Sequence, residues 1–228
     1  MAALGDAPVV EFRQITKRFP GVVANDRVDL AIRPGEVHAL LGENGAGKST
    51  LIGVLAGIHQ PDGGEIFVAG RPVRIDSPGR AIELGIGTVY QHSTLVPTLT
   101  TLQNLMLGRS WYAGRNLTVT RTKFHELSEM LGITVDPNTP TGQFALGQQQ
   151  QVEIIKALWR GGKVLVLDEP TSMLTAQGVR DLGKVIERLK NEGIAVVFIT
   201  HKLIEAHIFG DRVTVLRRGR VVGEIPPE

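Results

Sequence analysis

The 228-residue sequence contains no cysteine. That excludes disulfides, thiol catalysis and cysteine-ligated metal centres, and it fits a reducing compartment. No apolar run approaches the roughly 18–20 residues that span a bilayer, so any membrane role must come through a partner. The N-terminal residues Met1-Ala2-Ala3-Leu4-Gly5-Asp6 lack the basic-then-apolar order of a secretion signal. The expected location is therefore the cytoplasm. Charge of one sign is also scarce. The net charge is only +2, and lysines and arginines are scattered, too weak a bias to argue for nucleic acid. Their one cluster, Arg217-Arg218-Gly219-Arg220, reads as a solvated hairpin turn rather than a DNA patch. Internal repeats and low-complexity tracts are absent.

What is present suffices for a core. Hydrophobic residues make up 42% of the chain and charged residues 21%, as in globular proteins. A domain of this length buries about 70–75% of the surface its unfolded chain exposes.

The most informative stretch is Gly42-Glu43-Asn44-Gly45-Ala46-Gly47-Lys48-Ser49-Thr50. It matches the phosphate-binding pattern G-x-x-x-x-G-K-[ST], with an apolar strand before it (residues 37–41) and a helical pattern after it (51–56). Glycines let the backbone wrap a polyphosphate with its N–H groups turned inward. The following helix turns its free amides and positive dipole end to the same anion. Lys48 supplies a point charge for the terminal phosphates, and the Ser49 hydroxyl can ligate Mg²⁺.

Strands and helices alternate around this loop. Residues 9–13, 28–32 and 65–68 read as strands, with turns at Arg33-Pro34-Gly35 and Pro61-Asp62-Gly63-Gly64. A helix over about 79–84 leads to a strand at 86–90 whose end carries Gln91. From 92 to 161 the pattern turns helical: Phe124, Leu127, Met130 and Leu131 share one face, and Val152, Ile155 and Trp159 mark another. Residues 164–167 and 195–199 form continuous apolar runs of the buried parallel-strand kind. Between them, Thr175 caps a helix with Val179, Leu182, Ile186 and Leu189 inward, ended by Gly193. Residues 213–216 begin a closing hairpin. Such alternation predicts a mainly parallel sheet with helices on both faces.

Asp168-Glu169 ends an apolar strand, at the sheet edge where open α/β folds bind ligands and where the phosphate loop also sits. In P-loop nucleotidases a carboxylate here holds Mg²⁺, a role that suits Asp168. Glu169 is then placed to orient or deprotonate the attacking water. His201 follows the next apolar strand at the same edge and could contact the terminal phosphate or fix the water. Gln91 could reach Mg²⁺ or the water.

The phosphate loop, Gln91, Gly147-Gln148, Asp168-Glu169 and His201 stand in the order seen in ATP-binding-cassette (ABC) ATPases, and the chain resembles that family along its whole length. Residues 15–22, 40–51, 148–154 and 199–203 are similar to the corresponding stretches of bacterial importers of simple sugars or nucleosides. The resemblance implies an α/β fold: a P-loop NTPase core over 1–91 and 162–228, with a mainly parallel sheet, an N-terminal antiparallel β region, and a helical subdomain inserted over 92–161. It implies hydrolysis of ATP with Mg²⁺, with Lys48, Gln91, Glu169 and His201 catalytic and Ser49, Gln91 and Asp168 around the metal. Phe19, a core residue on its own reading, becomes the ring that stacks on adenine.

Family members work as a head-to-tail sandwich, each nucleotide lying between one cassette's phosphate loop and the other's signature, usually Leu-Ser-Gly-Gly-Gln. Here the signature reads Phe144-Ala145-Leu146-Gly147-Gln148. Ala145 replaces the serine that meets the γ-phosphate, a hydrogen bond to charge worth about 1.5–3 kcal/mol. Gln151 stands where arginine is usual, and Thr175 where aspartate is. The resemblance therefore implies one complete catalytic half-site and one weakened signature. Implied partners are a second cassette, transmembrane permease subunits and, indirectly, a substrate-binding protein, with the chain peripheral on the inner face of the cell membrane. Members of the subfamily usually carry two cassettes in tandem, and this chain ends at Pro226-Pro227-Glu228, where a first cassette would finish, so the resemblance implies either the N-terminal half of such a protein or a stand-alone cassette that pairs with another. The alternative is a soluble or regulatory ABC ATPase with low turnover.

Overall fold

Strand β1 (Val10–Phe19) and strand β2 (Val22–Ile32) form a long antiparallel pair. The computed structural model describes residues 7–107 and 117–225. Part of the expected helical block (108–116) and the end at 226–228 lie outside the described residues. Both strands run well beyond the apolar clusters at 9–13 and 28–32. Their extensions are mostly exposed or half-buried and carry no regular alternation, and register breaks after Phe12, Ile15 and Lys17 remove the period. Strand β4 (Gly63–Val68) joins β1, and the three-residue β5 (Arg71–Val73), too short for a periodic signal, joins β4. This antiparallel sheet has the order β2-β1-β4-β5.

The second sheet has six strands in the order β10-β9-β3-β8-β7-β6. They are β3 (Val37–Leu41), β6 (Ile86–Val89), β7 (Val164–Asp168), β8 (Ala195–Thr200), β9 (Arg212–Arg217) and β10 (Arg220–Ile225). Every neighbouring pair is parallel except the β9–β10 hairpin. The apolar runs of β7 and β8 follow from burial on both faces. Val164, Val166, Val197 and Ile199 pack towards the antiparallel sheet and α1 (Lys48–Leu55). Leu165, Leu167, Val196 and Phe198 pack on the other side against the helices. Each such aliphatic side chain contributes about 1.5–3 kcal/mol of transfer free energy.

Those helices are α3 (Thr101–Met106), α4 (Leu117–Leu131), α5 (Leu146–Leu158) and α6 (Ala176–Asn191); α2 (Pro78–Glu83) and α7 (Leu203–Phe209) complete the set. Phe124 and Leu131 of α4, Val152 and Ile155 of α5, and Trp159 just beyond it are buried on the expected faces. The Thr175 hydroxyl accepts from Gly178 N at 3.2 Å and caps α6, whose buried stripe is Leu182, Val185, Ile186 and Leu189, with Val179 half-buried.

One buried titratable group makes the fold acid-sensitive. His38 of β3 is 1% exposed, and its Nε2 lies 2.7 Å from Thr214 Oγ1. Burial lowers its pKa to about 4, opposed by the charge of Glu224. The unfolded chain therefore binds the proton first, and stability falls as pH drops from the unfolded value near 6.5 towards 4. At pH 4.5 the cost is about 2.5 kcal/mol. His38→Gln should lose that much less than wild type between pH 7 and 4.5 in urea unfolding; identical losses would refute the assignment.

Candidate nucleotide site

The phosphate loop joins β3, in the middle of the parallel sheet, to the first turn of α1. Gly47 caps α1 with φ +102°, and a Cβ there would overlap the Ala24 carbonyl oxygen and lie 2.8 Å from Asn25 Nδ2. At Gly42 a Cβ would stand 2.5 Å from the Leu216 carbonyl oxygen. The loop is thus pressed against β2 on one side and the β9–β10 hairpin on the other, and both glycines are required by close approach as much as by phosphate access. Glu43, Asn44, Gly45 and Ser49 are exposed, Thr50 is half-buried, and Ala46 is buried.

Two clamps on this loop escaped the sequence reading. Asn25, fully buried in β2, donates from Nδ2 to Gly47 O at 3.1 Å. Gly219 N donates to Ala46 O at 2.9 Å, while Asp26 N donates to Gly219 O at 2.8 Å. Residues 217–220 do form a hairpin turn, with Arg217 and Arg218 exposed. Its buried backbone at Gly219, however, buttresses the phosphate loop instead of being solvated. The available signal was the glycine inside the basic cluster, which marks close backbone approach.

Lys48 is 6% exposed, and its Nζ donates to the Gly42 carbonyl at 2.5 Å and the Glu43 carbonyl at 3.0 Å. Burial lowers its pKa, opposed by the charges of Glu169 and Asp168. Across the edge, Asp168 ends β7, and burial followed by the Glu169 charge pushes its carboxyl above the usual range, with Lys48 opposing. Two neighbouring carboxylates facing one lysine form a site where a divalent cation would relieve the excess negative charge. Among the described residues no group of three His, Asp or Glu is arranged to hold a metal. Mg²⁺ needs none, because it is commonly held by one or two carboxylates together with substrate phosphates.

Glu169 has a left-handed backbone, φ +45°, and its N–H donates to Ile199 O of β8 at 3.1 Å. Its Oε1 lies 2.9 Å from His201 Nδ1, with the imidazole donating when the carboxylate is ionised. The structure thus brings together two side chains that the sequence separates by 32 positions. Gln91 is exposed two residues beyond β6 and shares the lining of a small cavity, about 70 Å³, with Tyr90, Gln150 and Glu169.

Phe19 is 37% exposed at the end of β1, which corrects its reading as a core residue. The strand carries it past the edge of the packed layer, where its ring meets His59 edge-to-face at 5.4 Å between centroids.

Ala145, Gly147 and Gln148 begin α5 and line a groove of about 290 Å³ with Met173, Thr175 and Gln177. The cleft beside the phosphate loop, about 680 Å³, is lined by residues of 41–46 and 215–218 with His201 and Leu203, and by none of 144–148. Within one chain the signature and the loop therefore line separate depressions. Gln148 Oε1 accepts from Ala145 N at 3.2 Å, but alanine offers no oxygen in return, so the N-terminus of α5 lacks a side-chain cap. Two further ties run from α5 to the site segments. Gln150 Nε2 donates to Pro170 O at 2.7 Å, and buried Glu153 accepts from Ser93 Oγ at 3.0 Å and Thr94 N at 2.5 Å.

A glycine-built anion loop, a lysine inside it and a Glu–His pair at the carboxyl edge of a parallel sheet define a P-loop nucleotide-binding protein. The pattern of the ABC transporter family matches residues 25–172, and the chain belongs to that family. It is 51% identical over 220 residues to the ribose import ATP-binding protein RbsA 1 of Rubrobacter xylanophilus, an alignment covering 96% of this chain and 44% of the relative. It is 44% identical to the nucleoside import ATP-binding protein NupA of Lactococcus lactis, covering 97% of this chain and 44% of the relative. The chain thus spans less than half the length of these curated relatives. Among solved structures it resembles the dimeric ATP-binding cassette MJ0796 in a post-hydrolysis state bound to ADP and Pi (TM-score 0.80, 27% identity, covering 95% of this chain and 98% of that one). Among the described residues no helix is long and apolar enough to cross a membrane.

Proposed function

We propose that this chain is the ATP-binding and ATP-hydrolysing cassette of a bacterial importer for a simple sugar or nucleoside, peripheral on the inner face of the membrane. The observation that carries the reading is the 2.9 Å contact between Glu169 and His201 on the sheet edge that also bears the phosphate loop. The ribose and nucleoside import relatives support the transported class.

In this reading the amides of residues 43–50 cradle the phosphates, Lys48 adds charge at the β- and γ-phosphates, and Phe19 stacks on the adenine. Ser49, Gln91 and Asp168 would hold Mg²⁺, which supplies Lewis-acid neutralisation of phosphate charge. Glu169 takes the proton from the water that attacks the γ-phosphorus, while ADP leaves with the bridging oxygen. His201 holds Glu169 in place and faces the departing phosphate. Ala145, Gly147 and Gln148 serve the nucleotide held by a second cassette, because they open a groove separate from this chain's own loop cleft. The helical block over 92–161 acts as a unit against the core formed by 1–91 and 162–228. Gln91 is its hinge, and the Glu153 and Gln150 ties carry nucleotide-dependent movement to a permease, with a substrate-binding protein engaged indirectly.

The test is ATP turnover of the purified chain across a range of protein concentrations. A rate rising faster than linearly is expected of a site completed by a second cassette; a linear rise would sink that arrangement. Tight ATP binding with no turnover would favour the regulatory alternative.

A further inference from the structure

Glu205 sits in the first turn of α7, outside every motif considered so far. Its Oε2 accepts from Thr171 Oγ1 at 2.7 Å and from Thr200 Oγ1 at 3.0 Å, and its Oε1 from Lys202 Nζ at 2.8 Å. Thr171 stands two residues after Glu169, and Thr200 immediately precedes His201. Both threonines are buried, and the Glu205 side chain is 14% exposed. Burial pushes the Glu205 carboxyl up, but the bonds from Lys202, Thr171 and Thr200 outweigh it and hold the pKa below the usual value. The shared acceptor is therefore charged at neutral pH, where its hydrogen bonds are strongest.

The placement matters because the β7–β8 ladder ends just before the pair that does the chemistry. Asp168 lies opposite Ile199, and the bond from Glu169 N to Ile199 O is the last backbone tie on that edge among the described residues. Beyond it, Glu169 adopts a left-handed backbone that a non-glycine residue holds only when its surroundings enforce it. A single carboxylate oxygen grips one residue from each of the two segments. We infer that Glu205 is a positioning residue of the hydrolytic centre: by pinning Thr171 and Thr200 to one oxygen, it keeps Glu169 and His201 at hydrogen-bonding distance. The inference rests on the ATPase reading, since the pair it holds is the one assigned to activating water.

The experiment compares the wild-type chain, Glu205→Ala and Glu205→Gln by ATP turnover, ATP affinity and ¹⁵N NMR of the His201 imidazole. Small misplacements of reacting groups cost up to about 100-fold, so Glu205→Ala should lose about 10–100-fold in kcat with ATP affinity kept within about twofold. Glu205→Gln retains an oxygen that can accept from both threonines, so it should recover most of that loss. The His201 Nδ1 signal should shift in the alanine variant and stay close to wild type in the glutamine variant. Should Glu205→Ala fold poorly, Thr171→Val and Thr200→Val each remove one of the two bonds and should each lower kcat by a smaller factor, with affinity unchanged. Unchanged kcat in the alanine variant, equal losses in both Glu205 variants, or an unmoved His201 signal would overturn the inference. A wild-type chain that binds ATP without turning it over would instead refute the ATPase reading. The NMR comparison would then decide the positioning role alone.

Discussion

Glu169→Gln should bind ATP with near wild-type affinity and turn it over about 10²–10⁴-fold more slowly, the range lost with a positioned general base. Glutamine keeps the size of the side chain, and its amide oxygen still accepts from His201 Nδ1, so the 2.9 Å contact survives. What disappears is the capacity to take a proton from water. Removing the negative charge also relieves the repulsion that raises Asp168, and it removes one of the two charges that hold up the Lys48 pKa. Binding of an anionic ligand is therefore not weakened on electrostatic grounds. Equilibrium binding of a fluorescent ATP analogue together with steady-state phosphate release checks both halves. Retained turnover, or a matching collapse of affinity, would remove Glu169 from the role given it here.

Gly47→Ala should cost nucleotide affinity at least about tenfold and also destabilise the fold. The left-handed backbone costs a non-glycine residue about 1–2 kcal/mol, and forcing a methyl group into an occupied space adds about 1–3 kcal/mol. The space is occupied by the Ala24 carbonyl and by the Asn25 amide that holds the loop, so relief of the clash must move one or the other. Gly45→Ala is the matched control: its φ of +81° carries the same backbone strain, but nothing stands within 4 Å of the new methyl group. Calorimetric ATP titrations and thermal melts of the two variants separate strain from collision. Equal effects at both positions would mean that the clamp on Gly47 contributes nothing.

The legible parts of this molecule were those whose signal is local. The phosphate loop, the Thr175 cap and the stripes of α4, α5 and α6 each depend on spacings within a few turns of chain, and the structure has them where the spacing put them. The apolar runs of β7 and β8 announced burial on both faces. What could not be read depends on partners far away in sequence. Asn25 looks like any polar residue of an edge strand until β2 is folded over the loop, when it becomes a fully buried donor to Gly47. Gly219 looked like a hairpin glycine, and Glu205 belonged to no motif; its two threonine partners, Thr171 and Thr200, come together only in the fold. The exposure of Phe19 depended on the tip of the β1–β2 hairpin running past β4, whose pairing with β1 ends at Thr16 and Gly63. At Ala145 the substitution was visible, but its second effect, the loss of a helix cap, required knowing that α5 begins there.

The bond between Ala46 and Gly219 also carries an order of events. The phosphate loop leaves β3, whose two sheet neighbours, β8 and β9, are both synthesised long afterwards. At about 5–20 residues per second, the loop waits roughly ten to thirty seconds on the ribosome before the hairpin that braces it exists. During that interval the nascent chain carries the whole phosphate motif without the wall behind it. The brace behind Ala46 is therefore the last part of the loop's surroundings to be added, once β9 and β10 have docked.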